Sequence, residues 1–256
     1  MRPLPTQRQR GLLRRLTTAS LTCLLVLGAL PALATAATKP FTIDLAGRND
    51  FVAQTNFVQC VGASMQMMLN MIEPGRDRSA TTQLKLQKLA RSWSGSRPDG
   101  RERQGASVRG WAAGLNILGA GPYKLVGEAT LEAALRTAAR AIAATGKPVG
   151  LLVWQGRHAW VMTGFSATAD PASDAFTVTR ANIHDPLYPH GSAIWGPSPA
   201  PGEALTPATV GRQFVPRRMR AWPSAIPGML HSTLGGKYVL VLPYKPDLSA
   251  RAATTR

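Results

Sequence analysis

Apolar residues repeat with helical spacing through the first half of the chain. One stripe recurs at intervals of three and four residues, in Met65, Met68, Leu69 and Ile72. Pro74 and Gly75 end this helix, and its start falls close to Cys60. Similar stripes predict helices over residues 79–93, 108–115 and 130–142. The first half of the domain is therefore expected to be largely helical.

After Pro148 the pattern changes to that of β-strands. Residues 38–57 lack a helical repeat and predict an extended lead-in. The expected strands are apolar or alternating runs at 123–126, 149–154, 158–165, 176–183 and 237–244. Helices that precede most of the strands along the chain indicate an α+β domain with an antiparallel sheet.

Two segments near the end of the chain lack this periodicity. Residues 187–236 are rich in Pro and Gly and are expected to form a long wrapping loop with brief elements. Residues 247–256 are expected to be a disordered tail. The sequence has no internal repeat, no Gly-rich phosphate-binding motif and no Cys-x-x-Cys pair. One domain over residues 37–246 accounts for the pattern.

The first 36 residues resemble a secretory signal peptide. Arginines precede an apolar stretch at 21–33, and Ala34-Thr35-Ala36 supplies the small residues of a cleavage site. The apolar stretch is interrupted by Pro31 and is shorter than the roughly 18 residues that a membrane span needs. We therefore expect a protein that is secreted or associated with the cell wall, without stable membrane insertion after cleavage. A retained anchor is the alternative.

The chain is strongly basic, with a net charge of +17 over 256 residues. Removing the five arginines of the signal peptide from the 30 basic residues leaves 25 against 13 acidic residues, a net charge of +12. The basic residues are scattered, apart from the dense group Arg217-Arg218-Met219-Arg220, and no nucleic-acid-binding motif accompanies them. A solvated basic surface is the expectation from this scatter, and binding to anionic cell-wall polymers, lipid headgroups or acidic substrates is the alternative.

Cys60 is the only cysteine outside the signal peptide, since the second one is Cys23. It cannot form an internal disulfide, and an unpaired thiol outside the cytoplasm calls for a reason. The free amide hydrogens and the dipole at a helix N-terminus favour thiolate over thiol, as catalysis requires. A buried and inert cysteine is the alternative.

Four histidines are candidates for a base beside this thiol: His158, His184, His190 and His231. His158 opens a predicted buried strand and can therefore face a cleft at the edge of the sheet. The alternative is a half-buried histidine stacked on Trp154 or Trp160. His190 and His231 fall in loop-like sequence and are weaker candidates.

The orienting group for His158 is expected on the following strand. Asp185 and Asn182 are both candidates, although an Asp before Pro186 also serves as a turn-initiating residue. A metal site built from His184, Asp185 and His190 is a further alternative, but no other ligand spacing supports it. The expectation is therefore a site without metal or cofactor.

Three motifs occur in the order Cys, His, Asp. They are Gln54 six residues before Cys60 at a helix start, a His-Ala-Trp-Val-Met-Thr-Gly-Phe run from His158, and Asn-Ile-His-Asp-Pro ending at Pro186. Together they resemble the papain-like cysteine peptidases, and most closely the stand-alone relatives of the bacteriocin leader (double-glycine) peptidases. The resemblance spans about residues 54–186.

This resemblance implies a papain-like fold, with an N-terminal helical part packed on a C-terminal antiparallel sheet. It also implies roles for the residues: Cys60 as nucleophile, His158 as base and acid, Asp185 as orienting group, and Gln54 as oxyanion donor beside the Cys60 amide. The expected protein is a monomeric thiol protease that acts on a peptide or protein substrate. A cell-wall amidase or transpeptidase with the same Cys-His pair is one alternative, and a non-catalytic basic binding module is another.

Overall fold

The computed structural model describes residues 39–73, 77–95, 104–219 and 234–246. The signal peptide predicted for residues 1–36, the tail predicted for residues 247–256 and the candidate base His231 lie outside the described residues.

Four helices form where the apolar repeats predict them, and a short fifth helix follows later. The helices are α1 (Cys60–Ile72), α2 (Ala80–Ser92), α3 (Val108–Ile117), α4 (Leu131–Thr145) and α5 (Pro207–Gly211). Side chains of Ser79, Ser107 and Thr130 cap the N-termini of α2, α3 and α4 by accepting a backbone N–H. The predictions for α1 to α4 are confirmed to within a few residues at each end.

The strands form an antiparallel sheet of seven strands and a separate two-stranded hairpin. They are β1 (Phe41–Asp44), β2 (Tyr123–Glu128), β3 (Val149–Val153), β4 (His158–Ala167), β5 (Val178–His184), β6 (Gly191–Ser192), β7 (Gly196–Pro197), β8 (Glu203–Leu205) and β9 (Tyr238–Pro243). The order in the large sheet is β2-β9-β3-β4-β5-β8, and β1 pairs with β4. The α+β class with an antiparallel sheet is confirmed.

Helices cover both faces of this sheet. Leu151 in β3 lies in a core with α4 residues such as Ile142, whereas the next residue, Leu152, lies in a core with α1 and α3 residues such as Met65 and Trp111. Successive residues of a strand point to opposite faces, so α4 and the pair α1 and α3 lie on opposite sides. The expected packing of the N-terminal helices on the sheet is correct for α1 and α3, but incomplete because α4 covers the other face.

Residues 187–236 contain the brief elements expected of a wrapping segment, in the part that the structure describes. Strands β6 and β7 form a small hairpin, and α5 begins at Pro207. β8 joins the large sheet beside β5, so this part of the segment contributes to the fold itself. None of the helices in the described residues is long and apolar enough to cross a membrane.

Candidate active site

Cys60 is the first residue of α1, where backbone N–H groups lack helical partners. The first helical hydrogen bond runs from the Ala63 N–H to the Gln59 carbonyl, and the Gly62 N–H donates to Gln87 Oε1 at 2.9 Å. No hydrogen bond within the described residues engages the N–H groups of Cys60 or Val61. The helix start therefore offers two unpaired amide donors beside the only free cysteine of the described chain.

Two buried glutamines on α2 hold the loop that leads into Cys60. Gln83 donates to the Ala53 carbonyl at 2.9 Å and accepts the Thr55 N–H at 2.8 Å. Gln87, one turn later, donates to the Val58 carbonyl at 2.8 Å. Both side chains are almost fully buried, so these bonds are shielded from water. The sequence did not predict these hydrogen bonds. The only signal for them is a pair of glutamines four residues apart, on the face of α2 that carries Leu86.

A backbone hydrogen bond holds Gln54 beside the residue that follows Asp185, the predicted orienting group. Its N–H donates to the Pro186 carbonyl at 2.7 Å, one residue after Asp185. Its side-chain Nε2 donates to the Asn56 carbonyl at 2.9 Å, which occupies one of the two amide hydrogens. Its Oε1 is buried without a hydrogen-bond partner. The role of Gln54 as an oxyanion donor stays a prediction.

His158 begins β4 and is 4% exposed. Its Nε2 lies 2.7 Å from Asp185 Oδ1. Since Nε2 faces the carboxylate, Nδ1 is the ring nitrogen left for Cys60, whose thiol is close enough to the ring to help raise the pKa of His158. The structure thus brings Cys60, His158 and Asp185 together, although 98 residues separate the first two and 27 the last two.

In the buried pair, the pKa of His158 is raised and the pKa of Asp185 is lowered. Burial of the ring acts to lower the pKa of His158, but the hydrogen bond to Asp185, the neighbouring Cys60 thiol and the charges of both groups outweigh burial and raise this pKa to about 9. Burial likewise acts to raise the pKa of Asp185, yet the hydrogen bond and charge of His158 hold it below its usual range. Both shifts favour an imidazolium beside a carboxylate.

Asp185 directly follows β5 and is completely buried. Its Oδ1 accepts from His158 and also from the Leu187 N–H at 2.9 Å, which fixes the carboxylate in place. Its Oδ2 and the Ser198 hydroxyl are both buried without a hydrogen bond. The Ser198 hydroxyl helps to lower the pKa of Asp185.

Trp154 stacks on the His158 ring, with centroids 4.2 Å apart and an angle of 23° between the planes. Its indole Nε1 donates to Gln213 Oε1 at 2.8 Å, and its backbone N–H donates to the Gln213 carbonyl at 2.9 Å. Trp154 and Gln155 both have φ of 57°, a strained region for residues with a side chain. The stacking predicted as an alternative to catalysis is therefore present together with the His158–Asp185 pair.

The other candidates from the sequence lie elsewhere. Asn182 does not orient His158, because its amide donates to Asp44 Oδ2 at 3.0 Å. His184 is buried, accepts the Gly202 N–H on Nδ1, and has its pKa lowered by burial. His190 is exposed on the far side of a turn. No group of three metal-ligating side chains occurs among the described residues, so the metal alternative finds no support there.

The arrangement can perform nucleophilic acyl transfer, since a thiol, a base and an orienting carboxylate are linked in series next to free amide donors. No protein-family model matches the chain, and no curated protein matches it at a significant level.

Proposed function

We propose that the protein is a secreted cysteine peptidase with a papain-like arrangement, which cleaves peptide bonds through Cys60, His158 and Asp185. The observation that carries the proposal is the 2.7 Å contact between His158 Nε2 and Asp185 Oδ1, with the Cys60 thiol close enough to the same ring to help raise the pKa of His158. A relic of a lost enzyme has no need to keep such a buried charged pair, because burial of charge is costly.

The first half of the proposed reaction forms an acyl-enzyme. With its pKa near 9, His158 holds a proton at neutral pH and stabilises the Cys60 thiolate. The thiolate adds to the carbonyl carbon of the scissile bond and leaves the carbonyl oxygen negatively charged. When this intermediate collapses, the carbon–nitrogen bond breaks and His158 Nδ1 gives its proton to the departing amine.

The second half releases the other product. Neutral His158 takes a proton from a water molecule, and the resulting hydroxide adds to the thioester carbon. Collapse breaks the carbon–sulfur bond, frees a carboxylic acid and returns the Cys60 thiolate beside a protonated His158. Asp185 keeps Nε2 engaged throughout, so Nδ1 always faces the sulfur.

The oxyanion of both intermediates needs donors that are already in place. The unpaired Cys60 and Val61 N–H groups and the second Nε2 hydrogen of Gln54 are the candidates in this site. Removal of one such donor in comparable sites costs about 3 to 4 kcal/mol of transition-state stabilisation. Gln87 supports the same helix start by taking up the Gly62 N–H, so it fixes the donors without competing for the oxyanion.

A labelling experiment tests this function. A peptide chloromethyl ketone should alkylate Cys60 in the full-length chain, and mass spectrometry should locate the adduct there. The Cys23→Ser variant is the matched control, since it removes the other cysteine and should label like the wild type. Loss of labelling in Cys60→Ala is expected, and persistent labelling in that variant would refute the proposal.

Substrate digestion separates the peptidase from the cell-wall alternatives. We expect casein-type substrates to be cleaved by the wild type but not by Cys60→Ala. If purified cell wall alone is digested, the same Cys-His pair serves an amidase or transpeptidase. If neither is digested and binding to anionic wall polymer is identical in Cys60→Ala, the basic binding module is the better account.

A further inference from the structure

Two arginines of the dense basic group, Arg217 and Arg218, lie against the turn that precedes His158. The Arg218 N–H donates to the Gln155 carbonyl at 3.1 Å. Arg217 is tied to the start of β9, because its N–H donates to the Lys237 carbonyl and its carbonyl accepts the Gly236 N–H, both at 2.8 Å. These bonds place two consecutive arginines beside the connection between β3 and β4.

The side chain of Arg217 contacts Gly156, in the turn just before His158. A Cβ at Gly156 would lie 3.1 Å from Cγ of Arg217, so the aliphatic part of that side chain passes directly over the turn. Gly156 is two residues before His158, and the residue between them is the exposed Arg157. We call Arg157, Arg217 and Arg218 the arginine rim.

Arg157 and Arg218 of the arginine rim carry positive charge that Asp185 does not neutralise. Asp185 is fully buried and directed at His158, and no ion pair joins Arg157 or Arg218 to a carboxylate in the described part of the chain. Both arginines are exposed. Guanidinium groups at the edge of a cleft attract anions over several ångströms, and their planar fork fits a carboxylate.

We propose that the arginine rim selects peptide substrates that carry a carboxylate side chain close to the scissile bond. This inference rests on the proposed peptidase function and adds the substrate class to it. The rim is confined to the turn that positions His158, so the group it attracts must lie within a few residues of the carbonyl that Cys60 attacks. An extended anionic polymer would gain equally from the basic residues scattered elsewhere on the chain.

A binding experiment in the absence of turnover tests the rim independently of catalysis. The probes are rhodamine-labelled Ala/Gly peptides with a central pair of glutamates, glutamines or lysines, and anisotropy reports their binding to full-length Cys60→Ala protein. The rim variant is Arg157→Glu/Arg218→Glu. The matched control is Lys39→Glu/Arg180→Glu, which has the same net charge. Arg180 pairs with Ser166, eight residues along β4 from His158 and so about 26 Å away.

We expect the glutamate peptide to bind more tightly than the glutamine and lysine peptides. The rim variant should weaken binding of the glutamate peptide by about fivefold or more, whereas the control variant should not. Salt at about 1 M, where the Debye length is about 3 Å, should remove the preference for the glutamate peptide. Circular dichroism of both variants checks that each one folds.

Three outcomes would overturn the inference. The first is equal affinity of the Cys60→Ala protein for the glutamate and glutamine peptides, and the second is an equal loss of binding in the rim and control variants. The third is rim-dependent binding of a teichoic acid without binding of the glutamate peptide. None of these results bears on whether wild-type Cys60 is labelled or cleaves casein, so failure of the rim and failure of the peptidase are distinguishable.

Discussion

His158 Nε2 and Asp185 Oδ1 lie 2.7 Å apart, and both side chains are almost completely buried. This contact leaves Nδ1 of His158 for Cys60 and holds the ring in one orientation. Trp154 lies over one face of the ring, so rotation about the Cβ–Cγ bond would break the hydrogen bond and the stacking together. The pair therefore fixes which ring nitrogen of His158 is left for Cys60.

Replacing Asp185 tests this pair. In Asp185→Ala, His158 loses both its orienting acceptor and its counter-charge, so kcat/KM on a peptide substrate should fall by about a hundredfold or more. Asp185→Asn keeps an oxygen for the His158 and Leu187 donors but removes the charge. It should retain more activity, with the alkaline limb of the pH–rate profile shifted to lower pH because the pKa of His158 falls. An unchanged alkaline limb would show that Asp185 does not act on His158 electrostatically.

Stability should depend on pH through His158. Its pKa rises from 6.5 to about 9 on folding, so its protonation stabilises the folded state fully below about pH 6.5. That contribution is lost as the pH rises through about 9. The unfolding free energy from urea titrations should therefore fall between pH 6.5 and 9 in the wild type. His158→Gln lacks this titration and should show a smaller fall, while parallel curves would contradict the assigned pKa shift.

The supporting role of Gln87 predicts linked losses of stability and rate. Gln87→Ala leaves the buried Gly62 N–H and Val58 carbonyl without partners, at a cost of about 1–3 kcal/mol in unfolding free energy. Because these groups flank Cys60, kcat should fall as well. Lys88→Ala on the exposed face of α2 is the control and should change neither quantity. A stable but inactive Lys88→Ala variant would argue against a specific effect of Gln87.

Gly62 is required by the close approach of α1 and α2. A Cβ at this position would lie 2.7 Å from the Gln83 carbonyl oxygen and 2.9 Å from Gln87 Cβ. Alanine is the better helix former by about 1 kcal/mol, but the clash involves backbone, so Gly62→Ala should destabilise the fold by about 1–3 kcal/mol. Gly105→Ala meets only the Val58 carbonyl at 3.9 Å and should be tolerated. Thermal unfolding of the two variants distinguishes them.

Much of this fold could be predicted because its elements depend on local pattern. The stripe of α1 and the alternating residues of β5 are set by which face each residue buries, and a single sequence records this. Cys60, His158 and Asp185 could be proposed because each sits at the start or end of such an element. The sequence favoured Asp185 as the orienting group and left Asn182 as an alternative, and in the structure the Asn182 amide donates to Asp44 instead.

The groups around the triad could not be predicted in the same way. Gln87 acts on Cys60 only because α2 packs against α1 at Gly62, a tertiary contact without a local pattern. Gln213 and Arg218 lie in the Pro- and Gly-rich segment, where the absence of periodicity gives no information on position. Hydrogen bonds to Trp154 and Gln155 place them beside His158.

The most direct test of the central claim is the rate at which Cys60 reacts with iodoacetamide at about pH 6. The rate is compared between the Cys23→Ser protein and the Cys23→Ser/His158→Ala protein. If His158 holds a proton and stabilises the Cys60 thiolate, removal of the imidazole should slow alkylation by about a hundredfold, since only the thiolate reacts. Equal alkylation rates in the two proteins would contradict the pairing of Cys60 with His158.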